Sequence, residues 1–295
     1  MQFWQRAIKV TIGQAGSGGI SFANYDSKGT TIEIDVIKDS TKKTNKAVIK
    51  LYNLNNKASN YIAMPESVIE VYAGWNGKVS RIFLGTTLSC DDTYSGTDKI
   101  TTIIATDGGK ELNSSVVSIA YSEGKTTTAL LKKVCDQLGL SLQMGNGVGE
   151  ITYTNGWSFV GKGQDALDEI CDSISAMWFI DNGVLQVVNY DGYGKNTSYE
   201  INAGSGLIGT PSHIVIDNYF QEKKKSNNKG GRSSKNGYGY NITCLLNPYI
   251  NVKDLVHITS KTITDYMYVE SIRYRGATNK GTFVCEIVGI KTGGA

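Results

Sequence analysis

Hydrophobic and polar residues alternate along the first third of the chain with the two-residue period of half-buried strands. The first example is Ile8, Val10 and Ile12, which are separated by Lys9 and Thr11. Similar short segments follow at 32–36, 47–52, 68–73, 81–85 and 100–105. Six strands joined by turns rich in Gly, Asn and Asp predict an antiparallel sandwich or barrel.

The middle of the chain changes to a helical period. One face of a helix is predicted at 165–176 by apolar residues spaced i, i+3, i+4 and i+7, namely Leu167, Ile170, Cys171 and Ile174. An earlier helix is predicted at 126–138, with Gly139 as its C-terminal cap. Together with the strands between them, these helices predict an α+β arrangement.

A β-hairpin is predicted directly after the second helix. The apolar run 177–180 is followed by Asp181-Asn182-Gly183 and by the apolar run 184–188. Asn-Gly between two apolar runs is the strongest short hairpin signal, because both residues tolerate a positive φ. Trp178 lies within the first apolar run, and we expect it in the core.

The last third returns to β, with strand patterns at 214–216, 240–246, 255–260, 267–273 and 282–290. Between them, residues 221–239 contain six Lys or Arg against one acid, for a net charge of +5. This stretch has no apolar periodicity and is rich in Asn, Ser and Gly, so the sequence predicts a mobile loop. The loop could neutralise phosphates of a polyanion, but ordering on a protein partner is the interpretation we favour.

The fold class predicted from these patterns is mainly β with an α+β middle. Three domains are expected: an N-terminal β-barrel or sandwich (1–110), an α+β helix–hairpin domain (111–205) and a C-terminal β-barrel (206–295) that carries the basic loop 221–239. The formal net charge of +3 is too small to indicate a nucleic-acid binder. No secretion signal is visible at the start of the sequence, and no apolar run approaches the ~20 residues of a membrane span.

Cysteine usage points to a reducing compartment. The five cysteines are scattered and none has CxxC spacing, so neither a disulfide framework nor a zinc site is indicated: Cys90, Cys135, Cys171, Cys244 and Cys285. We expect most of these thiols in cores. Patterns typical of zinc proteases and EF-hands are also missing from the sequence.

Several short motifs suggest chemistry, and each has a simpler structural explanation. Gly124-Lys125-Thr126 resembles part of a phosphate loop, but Ile119 stands where that motif needs glycine, and Thr126 suits a helix N-cap. His213 and His257 lie beside strand residues, without a nucleophile elbow.

The acids within 165–172 could form a glycosidase pair, although a solvated helix face explains them better. Asp91-Asp92 is interpreted as a turn at a strand end. We therefore expect no catalytic, cofactor-binding or metal residues.

Five local patterns together resemble the baseplate hub proteins of tailed bacteriophages, the late-control-protein-D or tail-hub class, and the related hubs of contractile injection systems. They are 49–54; 81–85 followed by 104–109; the helix opening at 124–126 and closing at 138–140; the helix with the hairpin 178–183; and 206–211 joined to 244–248. The basic loop 221–239 departs from the family pattern, because it is longer and more charged than expected there.

This resemblance implies two tail-tube-like β-barrel domains per subunit and a structural, non-enzymatic role in the virion. It implies a homotrimeric ring that joins the tail tube or tube initiator to the spike or tail tip and surrounds a channel for DNA and the tape-measure protein. Baseplate wedge proteins are further implied partners. Assembly would occur in the host cytoplasm, and no cofactor is implied.

Two other classes of function compete with this one. A cell-wall carbohydrate-binding or hydrolytic β-domain protein would need exposed aromatic residues for sugars, for which Trp75, Trp157 and Trp178 are the candidates. A nucleic-acid binder would use the lysines of 221–239 and would show steeply salt-dependent affinity.

Overall fold

The computed structural model describes residues 5–14, 18–26, 29–64, 66–108, 115–122, 124–189, 198–223 and 232–292, with the backbone alone at 217–223 and 232–236. Within these residues the chain forms three helices and twenty strands. The predicted fold class, mainly β with an α+β middle, is confirmed. No helix in the described part of the chain is long and apolar enough to cross a membrane.

The first third contains the six predicted strands and one additional strand. Its elements are β1 (Arg6–Gly13), β2 (Gly19–Ala23), β3 (Ile32–Asp39), β4 (Lys46–Tyr52), α1 (Asn56–Ile62), β5 (Val68–Trp75), β6 (Lys78–Ser95) and β7 (Asp98–Thr106). The alternation in β1 places Ile8, Val10 and Ile12 in the core with no exposed surface. β6 runs ten residues past the predicted segment 81–85 because it continues to pair with β7.

The middle third forms a separate small core. Its elements are β8 (Val116–Tyr121), β9 (Lys125–Thr126), α2 (Thr127–Leu138), β10 (Ser141–Met144), β11 (Thr152–Tyr153), β12 (Trp157–Lys162), α3 (Gly163–Ser173), β13 (Ala176–Asp181) and β14 (Val184–Asn189). Gly139 caps α2 in the left-handed conformation, as predicted. α3 ends three residues before the predicted boundary, because Ala176 already belongs to β13.

The last third supplies long strands that return to the first. Its elements are β15 (Ser198–Asn202), β16 (Leu207–Lys223), β17 (Arg232–Leu245), β18 (Leu255–Thr259), β19 (Thr264–Ala277) and β20 (Phe283–Lys291). The prediction of a loop over 221–239 is wrong at both ends, because β16 continues to Lys223 and β17 begins at Arg232. Backbone pairing in a hairpin needs no apolar period, which is why the pattern missed it. Residues 224–231 lie outside the described part.

Thirteen of the described strands belong to one sheet. Its main path runs β16-β17-β20-β19-β3-β4-β7-β6-β5-β1-β2, while β18 pairs with β19 and β15 pairs with β18. β3 and β19 join the two ends of the sequence, and there Arg273 donates two hydrogen bonds to Asp35, at 2.8 and 2.6 Å. One hydrophobic core covers strands from both ends of the sequence. The division of the chain into three domains remains a prediction.

Candidate functional site

The hairpin β13–β14 is fixed to the large sheet through its turn. Asn182 and Gly183 both have a positive φ, of 54° and 77°, as the sequence predicts for this turn. Their backbone N–H groups donate to the carboxylate of Asp107, at 2.5 and 3.1 Å. The Asn45 side chain also donates to the carbonyl of Ile180, at 2.9 Å. The helix–hairpin segment is therefore tied to the end of β7 and to the β3–β4 connection.

A buried ion pair lies beside this turn. Lys38, which is 1% exposed, donates to Asp181 at 2.6 Å, and Asn251 donates to the other oxygen of Asp181 at 2.6 Å. Burial and the nearby charge of Asp181 raise the pKa of Asp107 to about 6. Four distant parts of the sequence meet here around two carboxylates, and we call this region the junction (Lys38, Asn45, Asp107, Asp181, Asn251).

A second buried ion pair lies on the loop that leads into β18. Lys253 is 1% exposed and donates to Glu270 at 2.6 Å, and the Ser40 hydroxyl donates to the same carboxylate at 2.5 Å. Because Ser40 follows β3 and Glu270 lies in β19, this pair reinforces the contact between the first and last thirds of the chain. Both buried pairs satisfy their charges within the protein, which fits a structural role.

The two histidines occupy separate places. His257 lies 2.6 Å from Glu200 and stacks on Tyr266, with ring centroids 4.3 Å apart. This hydrogen bond lowers the pKa of Glu200. His213 is exposed on β16 and its ring centroid lies 5.2 Å from that of Tyr240. The contacts are those of strand surfaces, and the structure does not bring the two histidines together.

The segment Gly124-Lys125-Thr126 opens α2, as the capping interpretation predicts. Thr126 has an extended backbone and its hydroxyl oxygen accepts a hydrogen bond from the N–H of Ala129, at 3.3 Å. The Lys125 ammonium lies 5.4 Å from the centre of the Tyr121 ring. Thr126 is therefore an N-cap.

The acids on α3 have a function that the sequence interpretation missed. Asp168 accepts a hydrogen bond from the indole N–H of Trp178 at 2.7 Å, and Glu169 accepts one from Trp157 at 2.8 Å. Glu169 is exposed and the Asp168 side chain is 34% exposed, so both acids lie on a solvated part of the helix and also accept these hydrogen bonds. A buried tryptophan needs an acceptor for its N–H group. The sequence could have indicated these contacts, because it places two tryptophans near a helix rich in acids.

The three candidate tryptophans are used in packing. Trp178 is 1% exposed, Trp157 is stacked against Phe159, and Trp75 meets Phe283 edge-on with ring centroids 4.8 Å apart. The indole N–H of Trp75 donates to the carbonyl of Leu246 at 2.8 Å. Since these rings lie against other side chains, they do not form the exposed platform that the carbohydrate hypothesis requires.

The acids Asp91 and Asp92 lie inside β6 and not in a turn, which corrects the sequence interpretation. Asp92 accepts from Lys99 at 2.8 Å and from Thr101 at 2.6 Å across the β6–β7 pair. In the part of the chain that the structure describes, no group of three or more His, Cys, Asp or Glu could hold a metal ion. The described cysteines are free, and four of the five are buried.

The fold defined by these elements, a large sheet with a helix–hairpin segment fixed to one end, is found in solved tail proteins. Prophage MuSo2 43 kDa tail protein from Shewanella oneidensis is 13% identical, with 96% of this chain and 98% of that chain covered and a TM-score of 0.59. The tail protein from Neisseria meningitidis MC58 is 12% identical, with 97% of each chain covered and a TM-score of 0.61.

A third similar structure belongs to a secretion system. The E. coli c3393 protein, a component of the type VI secretion system with structural similarity to the T4 tail proteins gp27 and gp5, is 7% identical. The match covers 88% of this chain and 73% of that chain, with a TM-score of 0.56. No protein-family model and no curated protein matches the sequence. The chain thus has the mainly-β fold of phage tail proteins and type VI secretion proteins, and the resemblance seen in the sequence is confirmed at the level of the fold.

Proposed function

We propose that the chain is a structural protein of a phage tail and forms the central hub of its baseplate. The observation that carries the proposal is the end-to-end match with two solved tail proteins, one of them from a prophage, which covers 96–97% of this chain. The polar clusters fit the same role, because the junction and the Lys253–Glu270 pair use their charges to hold elements together. Its role is structural and not enzymatic.

In this proposal three copies form a ring that joins the tail tube or tube initiator above to the spike or tail-tip protein below. The ring surrounds the channel for the genome and the tape-measure protein, and wedge proteins contact its outside. Each copy contributes the domains 1–110, 111–205 and 206–295. The protein is assembled in the host cytoplasm and remains in the virion.

The test is a molar mass by light scattering after gel filtration, for the chain alone and mixed with the products of adjacent genes. A mass of three times 32.0 kDa, or a trimer that forms only with one of those products, is the expected result. A monomer in every mixture, together with peptidoglycan cleavage that one Asp or Glu substitution abolishes, would replace this proposal with the cell-wall alternative.

A further inference from the structure

A cleft of about 410 Å³ lies where the helix–hairpin segment meets the large sheet. Its lining comes from β6, β10, the hairpin β13–β14, β15 and the loop that leads into β18. The volume falls within the roughly 300–1,000 Å³ of typical ligand pockets. We call it the hairpin cleft, and the lining residues that matter below are Arg81, Asp181, Asn182, Tyr199, Tyr249, Asn251 and Asp254.

The hairpin cleft is lined by two side chains whose buried oxygen atoms accept no hydrogen bond from the described residues. They are Oδ1 of Asn182 and Oδ1 of Asn251, two of the three such side-chain atoms in the described part of the chain. The Asn251 amide has a defined orientation, because its nitrogen donates to the carboxylate of Asp181 at 2.6 Å. Buried acceptors without a donor are rare, so two of them at one cleft point to a ligand that supplies donors.

The charge of the lining is negative. Among the described residues of the hairpin cleft, Asp181 and Asp254 stand against Arg81, which gives a net charge of −1. Arg81 is held by Glu70, at 3.0 Å. Burial and the charge of Asp254 raise the pKa of Tyr199, so the field of this carboxylate extends to the aromatic part of the lining. Such a lining favours a cationic ligand over an anionic one.

Two aromatic rings complete the lining. Tyr249 is 47% exposed and Tyr199 is half-buried. A cation gains energy against the face of such a ring. A guanidinium group combines a positive charge, a flat shape and N–H donors without any acceptor, whereas an ammonium is a compact point charge that cannot lie flat on a ring. The unpaired acceptors, the negative charge and the rings therefore agree on one chemistry.

We propose that the hairpin cleft binds a guanidinium group, which donates to the oxygens of Asn182 and Asn251 and lies against the ring of Tyr249. Both oxygens are covered, while other atoms of the same two residues line the cleft, so binding requires a small shift of each side chain. Free arginine and an arginine side chain of a partner protein present the same group. The inference goes beyond the hub role and does not depend on the trimeric ring.

The test is a titration of the full chain with N-acetyl-arginine amide, followed by saturation-transfer NMR. N-acetyl-citrulline amide has nearly the same shape without the charge, and N-acetyl-lysine amide keeps the charge without the planar group. The arginine compound should bind with a Kd of roughly 1–10 mM, as expected for a ligand of this size. Both analogues should bind at least about tenfold more weakly.

Two variants, each with a matched control, locate the site. Asn182→Gly removes one unpaired oxygen from a turn residue with a φ of 54°, and Asn76→Gly makes the same change at a φ of 55° outside the cleft. Tyr249→Ser removes a ring that is 47% exposed, and Tyr266→Ser removes one that is 44% exposed elsewhere. Each cleft variant should weaken binding at least about fivefold, and each control should stay within about twofold. Thermal melts check that every variant keeps its fold.

Three results would overturn the inference. The first is equal binding of the citrulline compound, because the charge would then not be recognised. The second is the same affinity in Asn182→Gly and Tyr249→Ser as in the unchanged chain, which would place the ligand elsewhere. The third is the absence of binding by any guanidinium compound, or tighter binding of N-acetylglucosamine, which would make the cleft a sugar site.

The source of the guanidinium group follows from a titration with L-arginine. Binding as tight as that of the amide would identify the free molecule as a ligand. Weaker binding would identify an arginine side chain, because the free carboxylate would be repelled by Asp181 and Asp254. The molar mass that tests the hub is independent of all these titrations, so a failed trimer and a failed cleft are distinguishable.

Discussion

Two hairpins of similar construction have opposite surroundings. β13–β14 ends in Asn182-Gly183, and its turn is partly buried and donates two backbone hydrogen bonds to Asp107. β6–β7 ends in a turn that includes Gly96, with a φ of 61°, and its distal strands are exposed. Backbone geometry alone does not separate the two hairpins, since each uses a glycine with a positive φ. What differs is whether the protein supplies a partner for the turn and the side chains next to it.

The largest effect is expected in the buried hairpin. Trp178→Ala should lower the free energy of unfolding by about 3–5 kcal/mol, because the ring is 1% exposed and its removal leaves a cavity. Denaturant midpoints measure this change. Trp178→Phe, which keeps most of the ring but loses the hydrogen bond to Asp168, should cost clearly less. If Trp178→Ala left the denaturant midpoint unchanged, the ring would lie outside the core.

The buried ion pair of the junction should come next. Lys38→Met leaves the carboxylate of Asp181 without its cation and should cost about 3–5 kcal/mol of unfolding free energy. Lys42→Met is a matched control, because Lys42 also contacts an aspartate, at 2.5 Å, but both side chains are exposed to solvent. The control should cost about 1 kcal/mol or less. Equal losses for the two lysines would show that burial does not control the contribution.

The acid under the hairpin turn should make stability depend on pH. The pKa of Asp107 is about 6 in the folded chain, against the ordinary value of 3.8 that we take for the unfolded chain. The folded chain therefore binds this proton more tightly than the unfolded chain does. Its contribution to stability is complete below pH 3.8 and is lost as the pH rises through 6. In urea titrations, stability relative to Asp107→Asn should fall by on the order of 2–3 kcal/mol between pH 4 and pH 7. A constant difference would contradict the raised pKa.

The smallest effect on stability is expected in the exposed hairpin. Tyr94→Ser should change the unfolding free energy by less than about 0.5 kcal/mol, because the side chain is 74% exposed. The measurement is the same denaturant titration, run at a concentration where the chain is monomeric. A large loss in the monomer would mean that Tyr94 packs within its own chain, and the two hairpins would then be alike.

Local patterns predicted the elements that local physics controls. The Asn-Gly turn, the N-cap of Thr126 and the left-handed Gly139 depend on residues within a few positions, and each was visible in the sequence. The buried position of Trp178 followed from its apolar neighbours. These features can be predicted without knowing which distant segment packs against them.

The features that the sequence did not reveal all depend on distant partners. Asp107 has no pattern around it that predicts a contact with a turn 75 residues away. Asp168 and Glu169 are ordinary helix-surface acids until a tryptophan is placed beside each. β6 continues past residue 85 only because β7 pairs with it, and the ends of 221–239 form strands for the same reason. In each case a contact with a distant residue or strand determines the structure, and local composition alone does not predict that contact.

The pairing of β3 with β19 also determines when the protein can complete its fold. Asp35 and Arg273 are 238 residues apart in sequence. At the usual rate of synthesis, β3 leaves the ribosome roughly 10–50 s before its partner strand exists. During that interval one edge of β3 lacks its neighbour, and folding that waits for such a distant contact is slow. A nascent chain of this kind would depend on chaperones, and its yield on expression should respond to the speed of translation.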